Sequence, residues 1–412
     1  QLKNLDGKVL QLLKDYRWFH FIGVGPGWEN IANLKDVFFL NYFSTEKYTI
    51  SKSYFHILYG KVLRLTGIRD PLTAFYFLRW LSFLMYITIC FLCYFFYKKY
   101  FPDHGYYLMA GQLLIYQVGN ILNSLNYDVL LTFLGVLFFI FAYRFMMTDE
   151  KKGLAIVLLL VIAAVASLVK TGGVLFFLYF FILLLFKYGF NRKMLKWLLL
   201  GTLLFAVIFS WFNYWFPGRF FKLYGVIFLK LRALGGGVTR AGTGLGGDNG
   251  TAANIGFFDS IVDSFYFYTG WMGFRVPGAW YWVLKSFLLA AVTGLIVMLS
   301  RKKTTADPAG IVFSPGKRWL MYGSVLLVVQ LLAVRFYYGS GLMSQGRYLY
   351  PLLIPIIMLI YSGLNSLEVF LKFKRNYLLF SYLLFLVLFF VMALSRVITV
   401  FYLEIASPHV GL

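Results

Sequence analysis

The feature that leaves this chain the fewest possible folds is its recurring run of uninterrupted apolar residues, since about 20 in a row suffice for a helix to cross a hydrocarbon layer. In lipid, each backbone N–H and C=O must be satisfied within its own segment, so such runs are helices. Segments of about ten residues with alternating polarity, the pattern of a membrane barrel, are absent from the sequence. Composition agrees: 60% of residues are hydrophobic, 21% aromatic and only 13% charged. Soluble domains carry about 25% charged residues, so a buried soluble core cannot account for this usage. The fold class expected is an all-α polytopic membrane protein with about ten spanning helices. They fall near residues 72–97, 106–122, 127–147, 154–169, 174–187, 197–216, 279–300, 319–337, 349–364 and 377–402.

Lysine and arginine number 39 against 16 acids, a net charge of +23. These bases are spread between the apolar runs rather than gathered on one soluble face, which excludes nucleic acid as the partner and points to membrane lipid. Basic residues close to a span stay on the cytoplasmic side. The clusters Lys98/Lys99, Arg144 with Lys151/Lys152, Lys187 to Lys196, Arg301 to Arg318, and Lys372 to Arg375 fall at every second connection. The alternation therefore predicts that residues 1–71, 217–278 and the C-terminus lie outside the cell's inner (cytoplasmic) membrane. It divides the chain into an outer region (1–71), a helical region (72–216), an outer loop (217–278) and a second helical region (279–412). Within the outer regions, 53–66, 219–234 and 257–268 are apolar and aromatic but too short to span, and are expected to lie along the headgroups with aromatics inward. The glycine-rich stretch 235–256 between the last two is expected to be a loop. Gln1 in place of Met leads us to expect that the natural chain extends further, with a first spanning helix ahead of this sequence.

Polar residues near the outer ends of the spans carry the chemistry. Asp128 stands in the short outer turn Ser124-Leu-Asn-Tyr-Asp128, where a carboxylate can take a proton, hold a cation or cap the following helix. Lys170 closes the fourth span, just before Thr171-Gly172-Gly173. There an ammonium can receive a phosphate that small residues allow to approach, or simply snorkel to the interface. Arg347, in Gln345-Gly-Arg347-Tyr-Leu-Tyr-Pro351, offers a planar fork suited to phosphate, or an interfacial anchor. Arg79, Lys285, Arg335 and Arg396 also fall in the outer halves of spans, where ionisable groups are costly and face cavities or partners. Gly242, Gly244 and Gly247 have GxGxxG spacing but lack the flanking strand and helix of a dinucleotide site. The four histidines show no metal-ligand spacing, and Cys90 and Cys93 fall inside a span, where packing is their expected role.

Taken in order, the large first outer region, Asn126-Tyr-Asp128, Leu-Val-Lys170-Thr-Gly-Gly and Gly-Arg347-Tyr-Leu-Tyr-Pro351 resemble the GT-C superfamily of integral-membrane glycosyltransferases. The likeness is to the bacterial relatives of the protein O-mannosyltransferases and the lipid A aminoarabinose transferases. It implies a GT-C-like helical bundle and transfer of a sugar from a polyprenyl-phosphate-linked donor to a glycan, lipid or protein acceptor of the cell envelope, on the non-cytoplasmic face. It also implies Asp128 as a catalytic carboxylate that helps to activate the acceptor, with Lys170 and Arg347 holding the lipid phosphate; Arg79 and Arg335, from their place in the outer halves of spans, are assigned the same phosphate-binding role. A divalent metal is compatible with such a site, although no metal ligands are assigned and no particular cofactor is identified. The family's acid after the first span has no clear counterpart; Glu29, Asp36 and Glu46 are the nearest substitutes. A transporter or flippase of lipid-linked glycans would also gather outer bases around a cavity. An accessory subunit of a membrane assembly would use them only as lipid anchors.

Overall fold

A computed structural model describes residues 54–68, 71–122, 127–148, 152–215, 256–267, 276–300, 316–338, 345–373 and 376–399. All regular structure among them is helical. In chain order the helices are α1 (Tyr54–Thr66), α2 (Pro71–Tyr100), α3 (Gly105–Leu113), α4 (Tyr116–Leu122), α5 (Tyr127–Met147), α6 (Lys152–Val169), α7 (Leu175–Tyr188) and α8 (Arg192–Trp215). They continue with α9 (Phe257–Tyr266), α10 (Gly278–Ser300), α11 (Lys317–Tyr338), α12 (Leu353–Phe370) and α13 (Tyr377–Ile398). Two 3-10 turns, Thr171–Val174 and Gly346–Leu352, lead directly into α7 and α12.

Six helices among the described residues are long and apolar enough to cross a membrane, and three more apolar helices are shorter. The chain is a multi-pass membrane protein. The span expected over 106–122 is instead two helices of 9 and 7 residues, broken after Leu113. The break falls beside two buried amides, Gln112 and Gln117, the first of which accepts a hydrogen bond from Tyr97 at 3.2 Å. At about 1.5 Å per residue neither piece could cross alone.

Burial ranks the helices. The stretch Gly346–Phe370 is 83% buried and Asp128–Met147 is 67% buried, against 22% for Gly278–Ser300 and 33% for Tyr377–Ile398. α5 and α12 are thus the most interior of the long helices among the described residues. The outward faces are apolar at helical spacing: Trp282, Leu289 and Ile296 on α10, or Phe380, Leu384 and Val391 on α13, are exposed. Such stripes are what lipid solvates.

Between helices the driving force is close packing, since lipid tails are as apolar as the side chains. α10 and α12 meet backbone to backbone through Ala291, Gly294 and Gly363. A Cβ on Gly294 would lie 1.8 Å from the Gly363 carbonyl oxygen, and one on Gly363 would lie 2.0 Å from that of Ala291. The turn into α13 is fixed electrostatically. Buried Glu368 accepts the N–H groups of Tyr377 at 2.8 Å and Leu378 at 3.2 Å, placing a carboxylate at a helix N-terminus.

Of the three segments expected at the headgroups, 219–234 lies outside the described residues, as does the glycine-rich stretch up to residue 255. α1 packs on α5 and α6, and its buried Tyr59 exchanges a 2.9 Å hydrogen bond with Ser82 of α2. α9 differs from expectation. Its buried side includes Ser260, Asp263 and Ser264 alongside Ile261, Phe265 and Tyr266, while Phe258 is 67% exposed. Polar groups turn inward because they have partners there, described below. Cys93 is fully buried and Cys90 partly so, in keeping with a packing role.

Candidate functional site

Lys170 is placed by a break in the helix ladder. α6 ends at Val169, Lys170 takes an extended conformation (φ −152°, ψ 149°), and the chain turns through Thr171–Val174. The turn closes tightly: Gly173 donates its N–H to the Lys170 carbonyl at 2.8 Å. A Cβ at Gly173 would lie 1.9 Å from the Ala166 carbonyl oxygen, so a glycine is needed for the approach. The extended residue directs its ammonium away from α6 toward the start of α5.

Asp128 waits there, in the first turn of α5 and only 3% exposed. Its Oδ1 accepts a hydrogen bond from Lys170 Nζ at 2.8 Å, and Arg347 Nε stands 3.7 Å from its Oδ2. The first is a charge-assisted hydrogen bond and the second a looser ion pair. A carboxylate at a helix N-terminus is further favoured by the helix dipole.

Arg347 is positioned by the second 3-10 turn, whose seat is α9. Gly346 packs so closely that a Cβ would lie 2.3 Å from the backbone nitrogen of Phe265. Its own N–H donates to Ser264 Oγ at 2.6 Å. Tyr348, next in sequence, offers its ring to both cations, with Lys170 Nζ at 4.7 Å and Arg347 Cζ at 5.4 Å from the centroid. Its carbonyl is held by Gln330 Nε2 of α11 at 2.6 Å, and the Gln330 side-chain oxygen accepts from the Tyr179 hydroxyl of α7. Tyr322 then donates to the Tyr179 carbonyl at 3.0 Å. A buried chain of polar groups thereby connects Tyr348 to α7 and α11.

The structure brings together Asp128, Lys170 and Arg347, which the sequence places 42 residues apart for the first pair and farther still for the third. Two other bases are drawn elsewhere: Arg335 lies over the Phe257 ring at 5.4 Å, and Arg79 is exposed along α2. Arg396 is exposed near the end of α13. Lys285 forms a second cluster, paired with Asp259 at 2.6 Å and Asp263 at 3.3 Å, which fastens α9 to α10. Ser264, Gln330 and Tyr348 are site residues that sequence reasoning passed over. Gln330, a lone amide within an apolar run, carried a usable signal; Ser264 carried none.

Two cations thus converge on one carboxylate in a largely desolvated place. Such a place can take an anion from water or from a headgroup. Among the described residues, no three His, Cys, Asp or Glu side chains gather as metal ligands do. A small cleft lies elsewhere, between α3, α12 and α13, lined by Tyr107, Tyr361 and Tyr382 among apolar neighbours.

The ends of α5, α6 and α12 that meet at this cluster define one side of the bundle. The opposite ends of α5 and α7 also meet, where Lys187 donates to the Met146 carbonyl at 3.0 Å. Asp128, Lys170 and Arg347 thus share a side, and the far end of α5 with the basic residues that close and follow α7 belongs to the other. Comparisons with protein families, with curated proteins and with solved structures find no match for this chain.

Proposed function

We propose that the Asp128, Lys170 and Arg347 cluster receives the phosphate of a polyprenyl-phosphate-linked sugar. The protein then transfers that sugar to a cell-envelope acceptor on the non-cytoplasmic face of the inner membrane. The observation that carries this reading is the convergence of two cations, Lys170 and Arg347, at the heads of α5 and α12. A lipid phosphate presents its anion at that level, with its tail free to remain in the bilayer. In the transfer, the acceptor oxygen bonds to the anomeric carbon and the bond from that carbon to the phosphate oxygen breaks. Its electron pair stays on the phosphate, where Lys170 and Arg347 offset the developing charge. The acceptor's proton goes to a carboxylate, and Asp128 is the group in place for it.

Arg347→Lys tests the phosphate role. The lysine keeps the charge but loses the two-pronged geometry, so donor binding and transfer should fall by roughly tenfold or more. Both are measured on purified protein with a polyprenyl phosphate and its glycosylated form. Unchanged values would return Arg347 to the role of an interface anchor. Lipid binding without sugar transfer by the unmodified protein would favour a transporter instead.

The sidedness has its own test. Single cysteines replacing Thr243 and Thr304 should react differently with an impermeant thiol reagent in intact cells, the first labelled and the second protected. The reverse pattern would invert the proposed topology.

A further inference from the structure

A second gathering of cations stands on the side of the bundle away from the Asp128 cluster. α7 closes there with Lys187, and α8 begins at Arg192. Asn191 pins that start: its Oδ1 accepts the Met194 N–H at 2.9 Å, and its Nδ2 donates to the Tyr188 carbonyl at 2.7 Å. Arg192, Lys196, Leu199, Leu203 and Val207 recur at spacings of three and four, which sets them on one face of α8, and all five are exposed. Gly201 points the opposite way, into the bundle, where a Cβ would lie 3.2 Å from the Leu160 side chain of α6 and 3.4 Å from the Phe180 ring of α7. The stripe therefore looks out into the bilayer.

Its profile with depth is that of a lipid. Arg192 and Lys196 stand about 6 Å apart along the helix axis, which matches a headgroup layer of roughly 5 to 7 Å. Leu199 to Val207 covers about 12 Å more, close to the roughly 15 Å of hydrocarbon in one leaflet. The first turn of α8 holds no acid, and among the described residues no carboxylate pairs with Arg192 or Lys196. Cations in the first turn of a helix oppose its dipole as well as each other, and an anion beside them relieves both repulsions. We infer that this face of α8 holds an anionic phospholipid of the leaflet opposite the Asp128 cluster, its phosphate on Arg192 and Lys196 and an acyl chain along Leu199, Leu203 and Val207. A zwitterionic headgroup would bring a cation of its own to the same two bases and is the poorer fit. This second site does not depend on what the Asp128 cluster binds.

The experiment is native mass spectrometry of the purified full chain in neutral detergent, with phosphatidylglycerol or phosphatidylcholine of the same acyl chains added. The first phosphatidylglycerol should bind about tenfold or more tighter than the first phosphatidylcholine, each base contributing about fivefold at an anionic headgroup. Arg192→Gln with Lys196→Gln should remove that preference and leave phosphatidylcholine binding unchanged. Lys98→Gln with Lys99→Gln, at the end of α2, takes the same charge from another exposed place and should keep the preference. No preference in the unmodified protein would overturn the inference without recourse to any variant. Equal loss in the two double variants would overturn it as well, by spreading the attraction over the protein's bases in general. Glycerol phosphate competing as well as the phospholipid would show a site for a free anion, with no part played by the apolar stripe, and would refute the lipid.

Discussion

Lys170→Ala should destabilise the protein by about 3–5 kcal/mol and cut its affinity for a prenyl phosphate diester by roughly tenfold to a hundredfold. Both effects come from one contact. The Asp128 side chain is 4% exposed and that of Lys170 12%, so removing the ammonium takes the 2.8 Å partner from a carboxylate that water scarcely reaches. The same removal takes away one of the two cations that would attract the anion. Adding Asp128→Asn should reverse much of the damage. The buried carboxylate that had lost its 2.8 Å partner is then neutral, and stability returns together with part of the diester affinity. Thermal unfolding in detergent and ligand titration on the single and double variants measure both quantities. A double variant no more stable than Lys170→Ala would mean that the pair is not the source of the loss.

Gly363→Ala should cost about 1–3 kcal/mol through a different mechanism, overpacking. The added methyl would meet the carbonyl oxygen and carbon of Ala291 at 2.0 and 2.7 Å, and both are backbone atoms that cannot rotate aside. α10 must then move off α12, the helix that carries the 3-10 turn of Arg347 at its head. Gly60→Ala is the matched control. Gly60 lies in α1 with no atom within 4 Å of a Cβ, so the change should be neutral, or stabilising by up to about 1 kcal/mol from helix propensity. A melting temperature for Gly363→Ala equal to that of Gly60→Ala would refute the close crossing.

Much of this architecture was legible because apolar length and helix caps are local properties. α5 and α10 begin and end within a residue or so of where hydropathy places them, since each is bounded by charged or glycine-rich turns. The break between α3 and α4 was not legible. An apolar count reads straight through the buried Gln112 and Gln117, and the Tyr97 hydroxyl that donates to Gln112 lies on the preceding helix, outside the stretch being counted. The site divides in the same manner. Asp128, Lys170 and Arg347 each end or begin a helix on the same side, so the basic alternation alone placed them at one level. Arg335 shares that level, but its helix faces it toward Phe257, and level says nothing of facing. Ser264 was hidden for a related reason. Its partner is the backbone of Gly346, which has no side chain to advertise a contact.

Lys170 stands at the end of an α-helix of 18 residues rather than on a loop, and this makes its position a matter of helical phase. Each residue of helix advances the chain by about 1.5 Å and turns it by about 100°. One residue gained within α6 would leave the hydropathy of the span and the charge of its end unaltered, yet point the ammonium a quarter turn or more away from Asp128. Length variation that conserves every recognisable motif would then still disassemble the cluster. The residue count of α6 is in effect a part of the site.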